Sequence, residues 1–317
     1  MNSEQPTLLE AGAPNAIGKT LGLLGDEWTL LLVQQAILGL TRYGQFKAAL
    51  PISNAVLTSR LGILTKEGLL ERNIYRTNPL RAEYLLTPRS RSLWPVLLAI
   101  WDWERQWVAA HTTPLPRMMH TECSQEFAPV LSCGACTRPT AARDIDAVWG
   151  PSGSWKRSVP TASTRRRWES DQARGQAGMF PETMAILGNR WSLALIGAAF
   201  RGVTRFADFE RTLSAPPALI ADRIKAFMAI EVLEATRNAV RPDWAEYRLT
   251  EKGRAFFPVI ATALHWGQTW FLATEGPALI ETHRFCSTVF VPELRCDRCT
   301  KLLHRRAILV SPSATES

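Results

Sequence analysis

Three short stretches of this chain occur twice. Leu24-Gly25-Asp26-Glu27-Trp28 returns as Leu187-Gly188-Asn189-Arg190-Trp191, and Arg42-Tyr43-Gly44-Gln45-Phe46 as Arg205-Phe206-Ala207-Asp208-Phe209. Glu83-Tyr84-Leu85-Leu86-Thr87 returns as Glu246-Tyr247-Arg248-Leu249-Thr250. Every pair lies 163 positions apart, and the offset holds from Thr20/Thr183 to Cys136/Cys299 without an insertion. Chance matches would scatter over many offsets. The chain is therefore one unit of about 140 residues written twice.

At 317 residues, with 46% apolar and 21% charged residues, the chain can bury two ordinary cores. Disorder and small stapled scaffolds are excluded. The N-terminus, MNSEQPTLLEAGAPNAIG, has neither the basic start nor the apolar core of a secretory signal. The longest stretch free of Asp, Glu, Lys and Arg runs from Ala255 to Thr274. That length could span a bilayer. It contains Pro258, His265, Gly267 and Gln268, however, and its counterpart in the first copy carries Asp102, Glu104 and Arg105. Both read as buried amphipathic helices, and no membrane partner is expected. We expect a cytoplasmic protein, whose cysteines favour a metal or free thiols over disulfides.

The net charge is +8. Half of it falls in residues 151–178, a Pro-, Ser-, Gly- and Arg-rich stretch that reads as a basic linker. Arg165-Arg166-Arg167 within it is either a solvated tether or an arm that touches phosphates without specificity. No catalytic triad, phosphate loop or paired-carboxylate arrangement stands out, so we expect no enzyme.

Within one unit, apolar residues from Ile17 to Leu38 keep helical spacing, broken by Gly25-Asp26 into two helices. Tyr43 to Leu50 forms a short helix closed by Pro51. Ser53 caps a further helix, from Asn54 to Glu67, and Gly68 stops it. Leu69 to Tyr75 and Ala82 to Leu86 read as a hairpin about the turn Thr77-Asn78-Pro79-Leu80. A long helix from Arg89 to Ala110 follows. The fold class is mainly α with small β wings (α+β). Domain boundaries are expected at 17–112 and 179–275 for two winged helix-turn-helix units, with Cys/His segments at 113–150 and 276–317.

These segments, taken as a set with Ile52-Ser53, Val56-Leu57-Thr58-Ser59-Arg60-Leu61 and Glu67-Gly68-Leu69-Leu70-Glu71-Arg72, resemble HxlR-type transcriptional regulators. The resemblance covers about 20–110 and again about 183–273. It implies a DNA-binding regulator whose first and last helices form a dimer interface and whose recognition helix enters a major groove. For repeat 1 it points to Ser53, Asn54, Ala55, Thr58 and Ser59 at the groove, Arg42 and Lys47 at phosphates, and Arg76 and Arg81 beside the wing. Arg60 could serve DNA or pair with an acid inside the domain. In repeat 2 the corresponding candidates are Arg205, Pro217, Lys225 and Arg241. Repeat 2 departs from the pattern: Pro216, Pro217 and Asp222 replace Ser53, Asn54 and Ser59, and Glu210 replaces Lys47. Acid facing phosphate weakens binding, so repeat 1 is expected to be the stronger DNA reader.

All six cysteines fall in two identical frames. His120-x2-Cys123-x9-Cys133-x2-Cys136 recurs as His283-x2-Cys286-x9-Cys296-x2-Cys299. Cys3His is a recognised structural zinc set, and a two-residue knuckle aims both of its side chains inward. Each frame is expected to fold as one knuckle around one zinc, giving two ions per chain. The resemblance leaves a thiol redox switch open. The function expected is a sequence-specific regulator that binds double-stranded DNA as an intramolecular pseudo-dimer or a homodimer. The alternative is a protein-binding adaptor or a thiol- or metal-responsive sensor that kept the fold. No small-molecule effector can be named from these residues.

Overall fold

The computed structural model describes residues 5–78, 80–109, 111, 114–158, 180–237 and 245–311. Arg241 and Arg165-Arg166-Arg167 lie outside the described residues.

The chain opens with a short strand, β1 (Thr7–Leu9), and then α1 (Ala16–Leu24). Gly25 closes α1 and Asp26 opens α2 (Glu27–Ile37). Asp26 Oδ1 accepts from the Thr29 N–H at 3.1 Å, satisfying one of the donors a helix start leaves free. α3 (Tyr43–Ala49) ends ahead of Pro51. Ser53 Oγ accepts from the Val56 N–H at 3.3 Å and starts α4 (Asn54–Lys66). Leu57, Leu61 and Leu64 form the inward stripe of α4, each fully buried. Gly68 takes φ 70°, a left-handed turn that a side chain resists. It leads into the wing, β2 (Leu70–Thr77) and β3 (Leu80–Leu86), paired antiparallel with Leu70 opposite Leu86.

The last helix differs from its expected span of Arg89 to Ala110. It is two helices, α5 (Pro88–Arg91) and α6 (Trp94–Trp107). Thr87 caps a single turn that closes on Ser92, and Pro95 has no N–H to continue it, so a new helix opens at Trp94.

The first tail holds β4 (Arg117–His120), β5 (Gln125–Glu126), β6 (Pro129–Cys133) and β7 (Ile145–Trp149). A turn of helix, α7 (Trp155–Ser158), ends it. Repeat 2 restates the order: α8 (Pro181–Leu187), α9 (Arg190–Phe200), α10 (Phe206–Leu213) and α11 (Pro217–Ala229). Its wing is β8 (Leu233–Arg237) and β9 (Ala245–Leu249), followed by α12 (Glu251–Arg254) and α13 (Phe257–Trp270). β10 (Phe271–Ala273), β11 (Leu279–His283), β12 (Thr288–Val289), β13 (Pro292–Cys296) and β14 (Ile308–Ser311) complete the chain.

The repeats meet through equivalent residues. Asp26 bridges its own counterpart Asn189, and α6 packs on its counterpart α13. Trp103 Nε1 donates to the Lys252 carbonyl at 3.0 Å, and Trp266 Nε1 donates to the Arg89 carbonyl at 2.9 Å. Trp103/Trp266 and Arg89/Lys252 are equivalent positions, so this is one bond made twice. The symmetry breaks at Glu104 and its counterpart Gly267. A Cβ on Gly267 would collide with Thr20, so α1 approaches α13 only because glycine stands there. At the other end Glu104 Oε1 accepts from the Thr183 N–H at 2.7 Å. It supplies the cap that Phe180, at the start of α8, lacks.

The tails interleave. β4 pairs with β14, β7 with β11, and β6 with β13, all antiparallel and all between repeats. Ile145 faces His283 while Ile308 faces His120, and Leu131 faces its own counterpart Leu294. The N-terminal segment joins in: β1 runs parallel to β10. The start of the stretch read as a linker is also built in. Asn15, fully buried, donates through Nδ2 to the Ser152 carbonyl at 3.0 Å and to Ser158 Oγ at 2.9 Å. Among the described residues no helix is long and apolar enough to cross a membrane.

Candidate DNA-reading faces and paired Cys3His clusters

Burying the stripe of α4 turns the opposite face outward. Ser53, Asn54, Ala55, Thr58 and Ser59 are all exposed along that face. Their side chains are partly organised. The Tyr43 hydroxyl donates to the Asn54 carbonyl at 3.1 Å, and Thr58 Oγ1 donates to the Tyr43 hydroxyl at 3.4 Å. Ser53 Oγ is occupied as the helix cap. Arg60 lies 2.8 Å from Asp26 Oδ2, so it pairs inside the domain.

The wing flanks this face. Arg76 and Arg81 are cross-strand neighbours, both exposed. Like charges opposed in a hairpin repel, and a phosphate between them would relieve that. Arg76 Nε donates to the Asn78 carbonyl at 2.9 Å, which aims it along the turn. Lys47 is exposed on α3. Arg42 is half exposed, 3.5 Å from Glu83 and over the Tyr75 ring at 5.4 Å.

In repeat 2 the corresponding face carries Pro217, Asp222 and Lys225, all exposed. Pro216 opens α11 without a side-chain cap. Arg205 lies 4.0 Å from Glu246, which also holds Arg248 at 2.6 Å. Among the described residues, Asp222 stands on the second face where the first has Ser59.

The cysteines depart from the expected partition. Each frame does not close on itself. One cluster joins His120 and Cys123 to Cys296 and Cys299, and the other joins Cys133 and Cys136 to His283 and Cys286. The reason is strand pairing. β6 runs beside β13, so the chain leaving Cys123 crosses to the other repeat before it reaches Cys133. Sequence spacing could not reveal this, because both partitions use the same residue types in the same order.

The geometry within the clusters is close to that of ligands around one ion. Cys123 Sγ and Cys296 Sγ are 3.9 Å apart, and Cys133 Sγ and Cys286 Sγ 3.8 Å. His120 Nδ1 lies 3.3 Å from Cys299 Sγ, and His283 Nδ1 lies 3.4 Å from Cys136 Sγ and 3.2 Å from Cys286 Sγ. A tetrahedral ion with sulfur at about 2.3 Å and nitrogen at about 2.0 Å sets its sulfurs about 3.8 Å apart and its nitrogen about 3.5 Å from each. A disulfide needs about 2.05 Å. Each cluster can hold a metal ion, with both histidines offering Nδ1.

The surroundings of the two clusters differ. His283 Nε2 lies 3.5 Å from Thr140 Oγ1, whereas the buried His120 Nε2 has no hydrogen-bond partner among the described residues. Leu303 stands where Thr140 would be repeated. The Thr288 hydroxyl and His283 push the Cys286 thiol down to about 6, while burial pushes Cys296 up to about 11.

The chain matches the HxlR-like helix-turn-helix family twice, over residues 23–112 and 186–275. An uncharacterized HTH-type transcriptional regulator of Mycobacterium tuberculosis is 32% identical over 136 residues, which cover 43% of this chain and 86% of the relative. The HTH-type transcriptional regulator YvaP of Bacillus subtilis is 36% identical over 91 residues, covering 28% of this chain and 84% of the relative. Two solved structures of candidate transcription factors, one of them from Pseudomonas aeruginosa, are each 26% identical. They cover 47% and 45% of this chain and 99% and 97% of their own, with TM-scores of 0.37 and 0.34. The mycobacterial relative, 86% covered, aligns with less than half of this chain. The chain belongs to the HxlR-like helix-turn-helix family and carries the family's unit twice.

Proposed function

We propose that the protein is a sequence-specific DNA-binding transcriptional regulator whose two winged-helix units act together as a pseudo-dimer within one chain. The observation that carries this reading is the exposed face Ser53-Asn54-Ala55-Thr58-Ser59 beside the paired Arg76 and Arg81. It offers small hydrogen-bonding groups to base edges and fixed cations to the flanking backbone. The relatives' description as HTH-type transcriptional regulators supports it.

Repeat 1 is the stronger reader. Asp222 and Glu210 place acid on the second face, and Arg205 is partly neutralised by Glu246. The chain therefore reads an imperfect palindrome, one half-site more loosely than the other. Zinc in each crosswise cluster is structural, holding the two units in register so that both faces meet one duplex.

Selection of bound DNA from a random pool, followed by salt titration, tests the reading. Specific binding should fall steeply with salt and prefer one sequence over bulk DNA. Lys47→Ala should lose more affinity than Arg205→Ala. Equal losses would contradict the asymmetry, and sequence-indifferent binding would favour an adaptor.

A further inference from the structure

Three polar side chains of repeat 1 touch one another, and repeat 2 has lost all three. Tyr43 opens α3, and Asn54 and Thr58 lie one turn apart on α4. The Tyr43 hydroxyl lies 3.1 Å from the Asn54 carbonyl and 3.3 Å from Asn54 Oδ1, and Thr58 Oγ1 donates to it at 3.4 Å. The equivalent residues of repeat 2 are Phe206, Pro217 and Ala221. The Tyr43 and Phe206 rings pack alike, each partly buried against the core. The fold therefore needs the ring and not the hydroxyl, since α10 and α11 form without it.

The hydroxyl has a definite effect on its neighbour. Its oxygen accepts from Thr58, so its single proton goes to the two oxygens of Asn54. That sets the sense of the Asn54 amide. Oδ1 faces Tyr43 with one lone pair and keeps the other, while Nδ2 finds no acceptor among the described residues. Asn54 is exposed on the face of α4 turned away from the core. A free amide there would exchange donor and acceptor by rotating half a turn, and ordering it would cost affinity on binding. A fixed amide shows one donor and one acceptor in constant order. Adenine presents the complement in the major groove, an N7 acceptor beside an N6 donor, and asparagine can meet both at once.

We propose that Tyr43 is a positioning residue for sequence reading: its hydroxyl fixes the Asn54 amide, so that Asn54 selects adenine at one base pair of the repeat 1 half-site. This rests on the DNA-binding reading above and names the chemistry by which one position is read. The second half-site carries no such preference, because Phe206 has no hydroxyl and Pro217 no amide side chain. The hydroxyl contacts are long for O–H···O bonds. Loss of the hydroxyl therefore weakens the choice of base and does not erase it.

The test uses the full chain and duplexes carrying its selected site, with every base pair replaced in turn, in competition fluorescence anisotropy. The parent should discriminate about tenfold against other bases at one adenine, and Asn54→Ala should abolish that discrimination. Tyr43→Phe, which copies repeat 2, should reduce it at least about threefold at that position alone. The slope of affinity against salt and the melting temperature should stay unchanged. In the Asn54→Ala background, Tyr43→Phe should add nothing, since the two act as one unit. Discrimination undiminished in Tyr43→Phe would overturn the proposal, as would a base other than adenine at the position that Asn54 governs. A loss spread evenly over all positions with a lowered melting temperature would also overturn it, by showing that Tyr43 only braces α3 against α4. A parent that binds every sequence alike would overturn the DNA-binding reading as well. A parent that selects a sequence, matched throughout by Tyr43→Phe, would overturn the role of Tyr43 alone.

Discussion

His120 Nδ1 lies 3.3 Å from Cys299 Sγ, although 179 residues separate them in the chain. Its mirror contact joins Cys136 to His283 at 3.4 Å. These contacts convert two repeated frames into two staples, each with one foot in either repeat. Loss of one cluster should therefore loosen both tails. Cys133→Ser should raise amide exchange in β11 and β12, which carry or flank His283 and Cys286, as well as in β6. Exchange confined to residues 113–150 would contradict this. Chelation of the metal should lower the melting temperature of the whole chain, since site formation and folding are coupled.

Arg60 belongs to the scaffold. It pairs with Asp26 at 2.8 Å, and Asp26 also caps α2. Arg60→Ala should cost about 1 kcal/mol of stability. It should leave the slope of DNA affinity against salt unchanged. A slope reduced by about one charge, measured by fluorescence anisotropy, would reassign Arg60 to a phosphate.

The buried Glu104 should make stability depend on pH. Burial raises its carboxyl above the ordinary value, opposed by the Thr183 N–H. A raised carboxyl favours folding most where it is protonated, and that contribution is lost as pH rises through its folded value. Glu104→Gln keeps the acceptor for Thr183 and removes the ionisation. The variant should match the parent in acid and gain on it as pH rises, in denaturant melts from acid to neutral pH. A gap that widens toward acid would refute the assignment.

Glu231 occupies the left-handed position that Gly68 fills in repeat 1, at φ 57° against 70°. A side chain there costs about 1 kcal/mol. Glu231→Gly should raise stability by up to that amount in urea melts, with the midpoint shifted and the slope unchanged. A lower midpoint would show that the Glu231 side chain makes a compensating contact.

Much of this architecture is readable from the residues. The 163-residue offset, the caps at Asp26 and Ser53, and the Gly68 stop place the helices and wing of repeat 1 close to where they stand. All eight candidate ligands are brought into clusters. Their partition was hidden, because exchanging halves between identical frames changes no local spacing. The split between α5 and α6 follows from Pro95, whose missing N–H outweighs the continuous apolar stripe.

The crosswise partition is tested most directly by counting zinc in paired variants by native mass spectrometry. Cys123→Ser with Cys296→Ser removes two ligands of one cluster, so one zinc should remain. Cys123→Ser with Cys133→Ser removes one ligand from each cluster, so both ions should be lost or weakened together. The reverse pattern, one zinc kept in the second pair and none in the first, would show that each repeat closes its own site and would contradict the account.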